Sequence, residues 1–512
     1  MAKVWKILAL LLVVTALVWL TTLWRWQSSN VDPSAGDLAI NLGVLPLLLT
    51  AVLAASIWAI LRLRTYAGAP TVAPTSAATP AAAPPASAEA ERSTHFKILA
   101  SAVQVRAGSS WSSAQSSIAT GECKPDLDAA LKDDNGIAMF TAPMPDLSTD
   151  TTADAITELV AQLRQAKPEA WAGYEAPAEV LRALTLMEMA ASSMQEALDA
   201  QWPALSAPPP SARNKPAAPI VPPSVAIRVA IPARWSAQSQ QAAGAWLAQL
   251  FDPFIDAGLQ AAGQSRAMAH NTRPAVQLHM HPVDHAEAFW LLMDQQLMQW
   301  QRDKDAGLLW VLAADSLVSD NDTAAMGAAR ELFSGANQRG RVPGEGAAAL
   351  LLASPTWPTA PDAEPPLAQL HRASLLRRDK SADASGRVSP QTLLQGATDA
   401  LKASGWQPAQ LEHITSDTDH RASRTGELFE ALQELAPQID TGEQALRLGL
   451  GCGDLGVARL LACVALTANQ VHESQKPALV LGAFPAFERF AVALTPPVAP
   501  PEAAAAAPAQ AA

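Results

Sequence analysis

Cysteine is scarce in this chain of 512 residues, which contains only Cys123, Cys452 and Cys463. Their number is odd and no two form a Cys-x-x-Cys pair, so the sequence excludes a disulfide framework and a paired-thiolate metal site. This cysteine usage predicts a reducing compartment. We interpret Cys463 as the core of an apolar helix and Cys452 as a buried, inert thiol, with a thiol activated at a helix start as the alternative. Cys123 lies in a predicted loop without a visible partner.

Charged residues are also scarce, at 16% of the chain, and the formal net charge is −12. Nucleic-acid binding needs a basic surface that neutralises phosphates, and the sequence offers none. Apolar residues make up 49% and there are 40 prolines, a mixture that indicates a buried core together with Pro-rich linkers and a membrane part. The segment "GLGCGDLG" lacks the G-x-G-x-x-G spacing of a dinucleotide loop, so no cofactor is expected.

The membrane part is predicted within residues 1–66, from two apolar runs at about 7–24 and 38–61 that are each long enough to cross a bilayer. Basic residues flank the first run on its amino side and the second on its carboxyl side. They predict a hairpin in a bacterial inner membrane, with both termini and the globular part in the cytoplasm. Neither run has an ionisable residue at its centre, which favours an anchor over a transporter.

Composition divides the rest of the chain. Residues 67–92 form an Ala/Pro-rich linker and residues 496–512 a similar tail, neither of which could bury a core. The globular pattern covers 93–354 and 355–495, with a Pro-rich insertion at about 204–223. Strand-like runs such as "SVAIRVAIP", "AGLLWVLAADS" and "GEGAAALLLA" alternate with helical patterns such as "AEVLRALTLMEMAASSMQEALDA" (Ala178–Ala200) and "AEAFWLLMDQQLMQWQRDKD". This alternation predicts an α/β fold with largely buried sheets. The segment "PALVLGAFPAFERFAVAL" predicts a closing hairpin.

In their order, these segments resemble the thiolase-like fold of β-ketoacyl synthases, which consists of two βαβαβ-type halves packed in layers. "VPGEGAAALLLA" is similar to the family's "x-x-G-E-G-A-A-x-x-V-L-E", and "LLWVLAADSLV" to its strand that ends in "G-G-x-D/E-S". "ITSDTDHRASRTGELFEAL" resembles the motif "H-G-T-G-T-x-x-G-D-x-x-E-x-x-A-L". "LGLGCGDLGVARLLACVAL" resembles "K-S-x-x-G-H-x-x-A-A-G". The matches cover about Thr94–Leu494.

The resemblance implies an active site with a cysteine nucleophile at a helix start and two histidines. Here the nucleophile position falls near Val283 or Asp284, in "VQLHMHPVDHAEAFWLL". The first histidine position falls near Asp419 or His420, and the second falls at Asp454. Loss of the nucleophile alone abolishes a covalent acyl step, so the chain is expected to be a pseudoenzyme without catalytic residues.

A histidine cluster precedes the same helix. His279 and His281 alternate on a predicted strand and share a face, and Asp284 and His285 follow within reach. A zinc site built on His279, His281 and His285 is therefore conceivable. The alternatives are that these residues fill the space of a lost catalytic pocket or cap the helix. Two-residue histidine spacing is a signal of low specificity, and no metal is expected.

A large fold that is kept after its catalytic chemistry is lost usually serves as a binding surface. Pieces of the chain, "VLAADSLVSDND" and "VPGEGAAALLL", are similar to type VI secretion lipase adaptors, which implies an anchored adaptor or scaffold for a secreted effector or secretion component. The alternatives are a membrane-tethered ketoacyl synthase-like acyltransferase and a non-catalytic partner subunit of a condensing enzyme. The resemblance also implies a homodimer, or a heterodimer with another thiolase-like protein, joined through sheet edges.

Overall fold

In the computed structural model, the residues described are 19, 94–133, 136–202, 224–261, 263, 276–303, 305–357 and 364–497. The chain divides into two units, Met1–Ala83 and Pro84–Ala512, and the fold below belongs to the second. The predicted insertion at 204–223 lies outside the described residues. The same is true of the linker, of the tail beyond residue 497 and, except for Trp19, of the predicted spans.

Thirteen strands occur in the described part of the chain: β1 His95–Val105, β2 Asp126–Lys132, β3 Ala138–Thr141, β4 Ser224–Pro232, β5 Val276–Val283, β6 Gly307–Ser316, β7 Glu345–Ala353, β8 Ala368–His371, β9 Ser374–Arg377, β10 His413–Ser416, β11 Ala445–Arg447, β12 Ala478–Gly482 and β13 Glu488–Thr495. The same part of the chain contains eleven α-helices: α1 Trp111–Ala119, α2 Asp150–Ala166, α3 Ala178–Ser192, α4 Gln195–Asp199, α5 Ala237–Ala261, α6 Ala286–Asp303, α7 Asp320–Ala328, α8 Gln391–Ser404, α9 Ala422–Leu435, α10 Leu448–Cys452 and α11 Arg459–Ser474.

Eleven of the strands form one mixed sheet in the order β11-β10-β12-β13-β8-β1-β7-β6-β4-β5, with β9 also paired to β13. In the first half, β4 runs parallel to β5 and β6, while β7 is antiparallel to both β6 and β1. The second half repeats this pattern, because β10 is parallel to β11 and β12, and β13 is antiparallel to β12 and β8. The expected α/β fold with duplicated halves is therefore present, and β1 and β8 join the halves.

Helices cover both faces of each half. One apolar core lies between the halves and is built around α6 and α11. A second core packs α2, α3 and α5 on the outer face of the first half, and a third packs α8 and α9 on the outer face of the second. Strands β6 and β7 are buried along their whole length, which explains their nearly continuous apolar sequences. The α11 helix lies between the halves and has eleven buried residues, as expected of a helix that is apolar all round.

The predicted strands and helices agree with the observed ones, apart from a break in the helix expected across Ala178–Ala200. That helix ends at Ser192, and α4 begins at Gln195. The closing hairpin is confirmed as the antiparallel pair of β12 and β13.

The predicted location in an inner membrane is corrected. In the described part of the chain, no helix combines the length with the apolar character that a bilayer crossing demands. The apolar residues of this part of the chain pack in the cores between the sheet and the helices. Helix α11, which is largely buried, has 16 residues, fewer than the about 20 that span a bilayer.

Candidate functional site

A cavity of about 690 Å³ opens where strands of both halves end. Its walls are formed by residues that follow the carboxyl ends of β4, β5, β6, β10 and β12. Ligands of open α/β sheets bind outside the carboxyl ends of the strands. The three positions of the predicted degenerate active site belong to segments at this junction: the β5–α6 turn, the β10–α9 loop and the segment between α10 and α11.

Charged side chains dominate this cavity. Seven arginines line it, namely Arg234, Arg330, Arg339, Arg341, Arg421, Arg424 and Arg459. Six carboxylic acids accompany them, namely Asp284, Asp315, Asp322, Glu331, Asp383 and Asp454. Because the two signs nearly balance, the chemistry of the cavity depends on how the charges are paired.

Arg459 is buried, with 5% of its surface exposed; of the arginines that line the cavity, only Arg424 is buried more deeply. Its Nη2 donates to Glu287 Oε1 at 2.7 Å and its Nε to Asp417 Oδ2 at 2.8 Å. Asp417 also accepts the backbone amides of Ala483 and Phe484 at 2.7 and 3.1 Å. Arg459 thereby ties the first turn of α6 to the ends of β10 and β12.

The pKa values in this group reflect burial working against ion pairing. Burial by itself would raise the pKa of Glu287, but Arg459 and the hydrogen bond with His285 together outweigh it and lower the value to about 2. Burial raises the pKa of Asp417 despite the opposing effect of Arg459. Burial also opposes the charge of Arg459, yet Glu287 and Asp417 raise the pKa of its guanidinium. Arg459 is thus held as a cation between two acids.

Arg234 makes a second bridge at the ends of β4 and β6. It donates to both oxygens of Asp315, at 2.6 and 3.0 Å, and to Asp322 Oδ1 at 2.8 Å. The backbone amide of Val457 donates to Asp315 Oδ2 at 3.0 Å. The bidentate pairing joins the ends of β4 and β6, and the hydrogen bond from Val457 fixes the loop that precedes α11 against β6.

Asp454, at the predicted second histidine position, is buried and lines the cavity. Arg341 Nη1 donates to its Oδ2 at 2.6 Å, and the Gly456 amide donates to its Oδ1 at 2.9 Å. Burial opposes ionisation, but Arg341, Arg459 and the Gly456 amide together outweigh it and lower the pKa of Asp454. An ionised carboxylate only accepts hydrogen bonds, so Asp454 cannot supply the proton donor that a histidine would.

At the predicted first histidine position, the two candidate residues separate. Asp419 is buried and paired with Arg421, whose Nε lies 2.7 Å from Oδ2. His420 instead lines a neighbouring cavity of about 780 Å³ and packs edge-on against Phe333, with ring centroids 4.6 Å apart. Its Nε2 is buried without a hydrogen-bond partner. Neither Asp419 nor His420 lines the first cavity.

The predicted nucleophile position is the turn into α6. Val283 is buried in the core, whereas Asp284 is exposed and lines the cavity. His285 Nδ1 lies 3.2 Å from both the Ala288 amide and Glu287 Oε2. Neutral His285 therefore caps the helix and the protonated form pairs with Glu287; the hydrogen bond to Glu287 raises the pKa of His285. Of the interpretations given above for the histidine cluster, helix capping is the one that His285 fits.

The possible zinc ligands do not converge. His279 and His281 share a face as predicted, with ring centroids 6.3 Å apart. However, His281 Nε2 is 2.9 Å from Arg228 Nη1, and His285 is engaged on α6. Burial, aided by Arg228, lowers the pKa of His281 to about 4. Within the described residues, no group of three or more potential ligands is arranged to hold a metal ion.

The "VPGEG" segment contacts a residue that lines the cavity, because the Gly344 amide donates to the carbonyl oxygen of Asp454. A Cβ on Gly344 would lie 2.2 Å from the carbonyl oxygen of Cys452, so only glycine allows this approach of β7 to α10. Glu345 is fully buried and accepts hydrogen bonds from Ser316 Oγ at 2.8 Å and the Met144 amide at 2.7 Å, as well as from Arg182. Three separate segments are thereby joined at the start of β7.

The cysteines lie elsewhere. Cys463 is buried in α11 as predicted, and Cys452 is also fully buried. The interpretation of Cys123 as partnerless is wrong, because its thiol hydrogen-bonds with that of Cys452. The cavity lining includes none of the three.

Motif reasoning missed the most connected charges of the site, Arg459, Arg234, Asp417 and Glu287. One signal for them exists in the sequence: Arg459 and Asp417 interrupt otherwise apolar or neutral segments, "GVARLLACVAL" and "HITSDT". A charge in such a run is expected to have a buried partner, although the run does not identify it.

No family model and no curated protein matches this chain. Among solved structures, it is similar to the ishigamide ketosynthase/chain length factor, with 14% identity over 78% of this chain and 99% of that one and a TM-score of 0.45. It is also similar to a chain in the structure of a type II polyketide synthase acyl-carrier protein in complex with its ketosynthase, with 14% identity over 79% of this chain and 100% of that one and a TM-score of 0.47. A β-ketoacyl synthase from Burkholderia phymatum STM815 shows 12% identity over 79% and 100% and a TM-score of 0.48.

Proposed function

We propose that this chain is a non-catalytic, ketosynthase-like subunit that pairs with a protein partner carrying the active nucleophile. The observation that carries the proposal is Arg459, whose guanidinium sits between Glu287 and Asp417 at the junction of the two halves. We infer that a site built around this fixed ion pair serves to hold the halves together rather than to transfer acyl groups.

The side chains at the three motif positions support the same proposal. A ketoacyl transfer needs a thiolate or another strong nucleophile, activated by a base within hydrogen-bond reach. The β5–α6 turn offers Asp284 and His285, and neither forms an acyl thioester. Asp454 is held by Arg341, which makes it a poor general base because pairing favours the charged, weakly basic form. Asp419 is bound to Arg421.

The end of the sheet suggests where a partner could pair. Strand β5 ends the order of strands and is bonded to β4 alone among the described strands. Its eight residues run along an edge on which Gln277–His281 are only partly buried. An edge strand of this length is a template for pairing with a second strand. We propose that β5 pairs either with a second copy or with a thiolase-like protein.

Two measurements test the proposal. The purified chain is incubated with malonyl- and acyl-loaded carrier protein, and we expect neither decarboxylation nor a covalent acyl adduct above a protein-free blank. Turnover, or an acyl group attached to the chain, would overturn the non-catalytic assignment.

The second measurement is affinity purification from native cells, followed by mass spectrometry. Recovery of a cysteine-bearing ketosynthase, with or without its carrier protein, supports the proposal. Recovery of a secreted lipase or a secretion spike component would replace it with the effector-adaptor function. Recovery of this chain alone as a monomer would contradict pairing through β5.

A further inference from the structure

Two of the three cysteines meet outside the candidate site. Cys123 lies in the loop between α1 and β2, and Cys452 ends α10. The Cys123 Sγ is 3.3 Å from the carbonyl oxygen of Gly451, and its thiol hydrogen-bonds with that of Cys452. The two residues are more than three hundred positions apart in sequence, so only the tertiary fold forms this thiol pair.

The two thiols have different surroundings. Cys452 is fully buried, whereas Cys123 is partly exposed and is reached from solvent first. Next to Cys123, Arg106 is held by the carbonyl oxygens of Lys124 and Pro143, at 3.0 and 3.2 Å. The hydrogen bond from Cys452 lowers the pKa of Cys123; partial burial opposes this and Arg106 adds to it. Cys123 therefore has the environment of a reactive cysteine and Cys452 that of a resolving one.

We propose that Cys123 and Cys452 form an oxidation site, in which Cys123 reacts with a hydroperoxide and Cys452 converts the product to an intramolecular disulfide. The Cys123 thiolate attacks the distal oxygen of the hydroperoxide and breaks the O–O bond, which leaves a sulfenic acid and, after protonation, water or an alcohol. The Cys452 sulfur then attacks the sulfenic sulfur, the S–O bond breaks and water leaves with the thiol proton. The hydroperoxide is reduced by two electrons, and the two thiols supply them.

Oxidation at this position would be transmitted to the candidate site. Cys452 directly precedes Gly453 and Asp454, and the Asp454 amide and carbonyl are bonded to Val342 and Gly344 at 2.9 and 3.1 Å. A bond between the sulfurs pulls α10 toward the loop of Cys123 and so acts on the backbone that positions Asp454. This consequence does not depend on the proposed function, because it follows from the contacts alone.

The test uses the whole reduced protein and hydrogen peroxide as the probe. After treatment, the protein is unfolded in urea, free thiols are blocked with iodoacetamide, the protein is digested without reduction, and peptides are identified by mass spectrometry. We expect a Cys123–Cys452 cross-linked peptide that dithiothreitol removes, with Cys463 recovered in its alkylated form. Complete alkylation of both Cys123 and Cys452, at peroxide doses that oxidise glutathione, would overturn the proposal. A disulfide that joins two chains through Cys123 would also overturn it.

Variants separate the two roles. In Cys452→Ala, Cys123 should stop at the sulfenic acid, which dimedone traps, and its alkylation at neutral pH should slow severalfold because the hydrogen bond that lowers its pKa is lost. In Cys123→Ser, Cys452 should resist oxidation because it is buried. Cys463→Ser is the matched control and should form the cross-link like the unchanged protein. Failure of Cys463→Ser to form the cross-link, or no dimedone adduct on Cys123 when Cys452 is replaced, would contradict the assignment.

Discussion

Replacing Arg459 by methionine is the sharpest test of how this fold is held together. Methionine keeps much of the length of the side chain but leaves the buried carboxylates of Glu287 and Asp417 without their cation. Removing one partner of a buried ion pair costs about 3–5 kcal/mol. The net fall of the Glu287 pKa from 4.5 to about 2, to which Arg459 contributes the largest lowering effect, corresponds to about 3 kcal/mol in favour of the ionised carboxylate. We therefore expect Arg459→Met to lose about 3–5 kcal/mol of unfolding free energy at pH 8.

The pH dependence carries a definite sign. In the unchanged protein the folded pKa of Glu287 lies below its unfolded value, so its contribution is present above pH 4.5 and is lost as the pH falls through about 2. In the variant, burial without a cation raises the folded pKa of Glu287 above the unfolded value. The penalty of the substitution should therefore be smaller at pH 5 than at pH 8, because the folded variant takes up protons.

The assay is urea unfolding, followed by tryptophan fluorescence from the buried Trp290 and Trp310. Arg387→Met is the matched control, since Arg387 forms an exposed pair with Glu430 and its loss should leave the unfolding midpoint unchanged. If Arg459→Met shifted the midpoint no more than Arg387→Met, or lost the same stability at both pH values, the reasoning about the buried network would be refuted.

Three further predictions follow from other contacts. Gly344→Ala should destabilise the fold by about 1–3 kcal/mol through overpacking, because the new Cβ would meet a backbone carbonyl at 2.2 Å; urea unfolding measures the loss. His371→Gln should reduce the stability lost between pH 6.5 and 4, because burial, with His95, lowers the pKa of His371 to about 4 and the unfolded chain binds the proton first; unfolding at several pH values measures this. His279→Asp should weaken capture of the partner at least severalfold by charging the β5 edge, which co-purification measures.

Two of these predictions have a control variant, and the third has a result that would contradict it. Gly327 lies in α7 with no atom within 4 Å of an added Cβ, so Gly327→Ala should be neutral or stabilise by up to about 1 kcal/mol; an equal loss at both glycines would contradict the packing argument. A pH profile unchanged by His371→Gln would remove the role given to that residue. Gln395→Asp adds a carboxylate on the exposed face of α8, and if it weakened partner capture as much as His279→Asp, β5 would not be the interface.

Local patterns in the sequence were sufficient for the framework of the fold. Strands β6 and β7 are apolar throughout because both faces of the sheet are covered, and that pattern is visible without a structure. The same holds for α11, whose apolar residues occupy every side. The β2–β3 hairpin was not predicted, since short exposed strands give weak periodic signals. Helices α2 and α5 were not predicted either, although the buried residues of α2, such as Ile156, Leu159 and Val160, follow helical spacing.

The sequence alone determined that no cysteine stands at the β5–α6 turn, and that Gly344 and Glu345 begin a close-packed strand, because both properties depend on residue type and local order. Only the tertiary structure decided which charges pair: Arg459 meets Glu287 from a distant helix, and Asp454 meets Arg341 rather than a substrate. It also decided that Cys123 has a partner, and that His420 turns toward Phe333 while Asp419 binds Arg421. The physical reason is that buried charges and thiols are specified by neighbours across the fold, and no periodicity of one segment records a contact made by another.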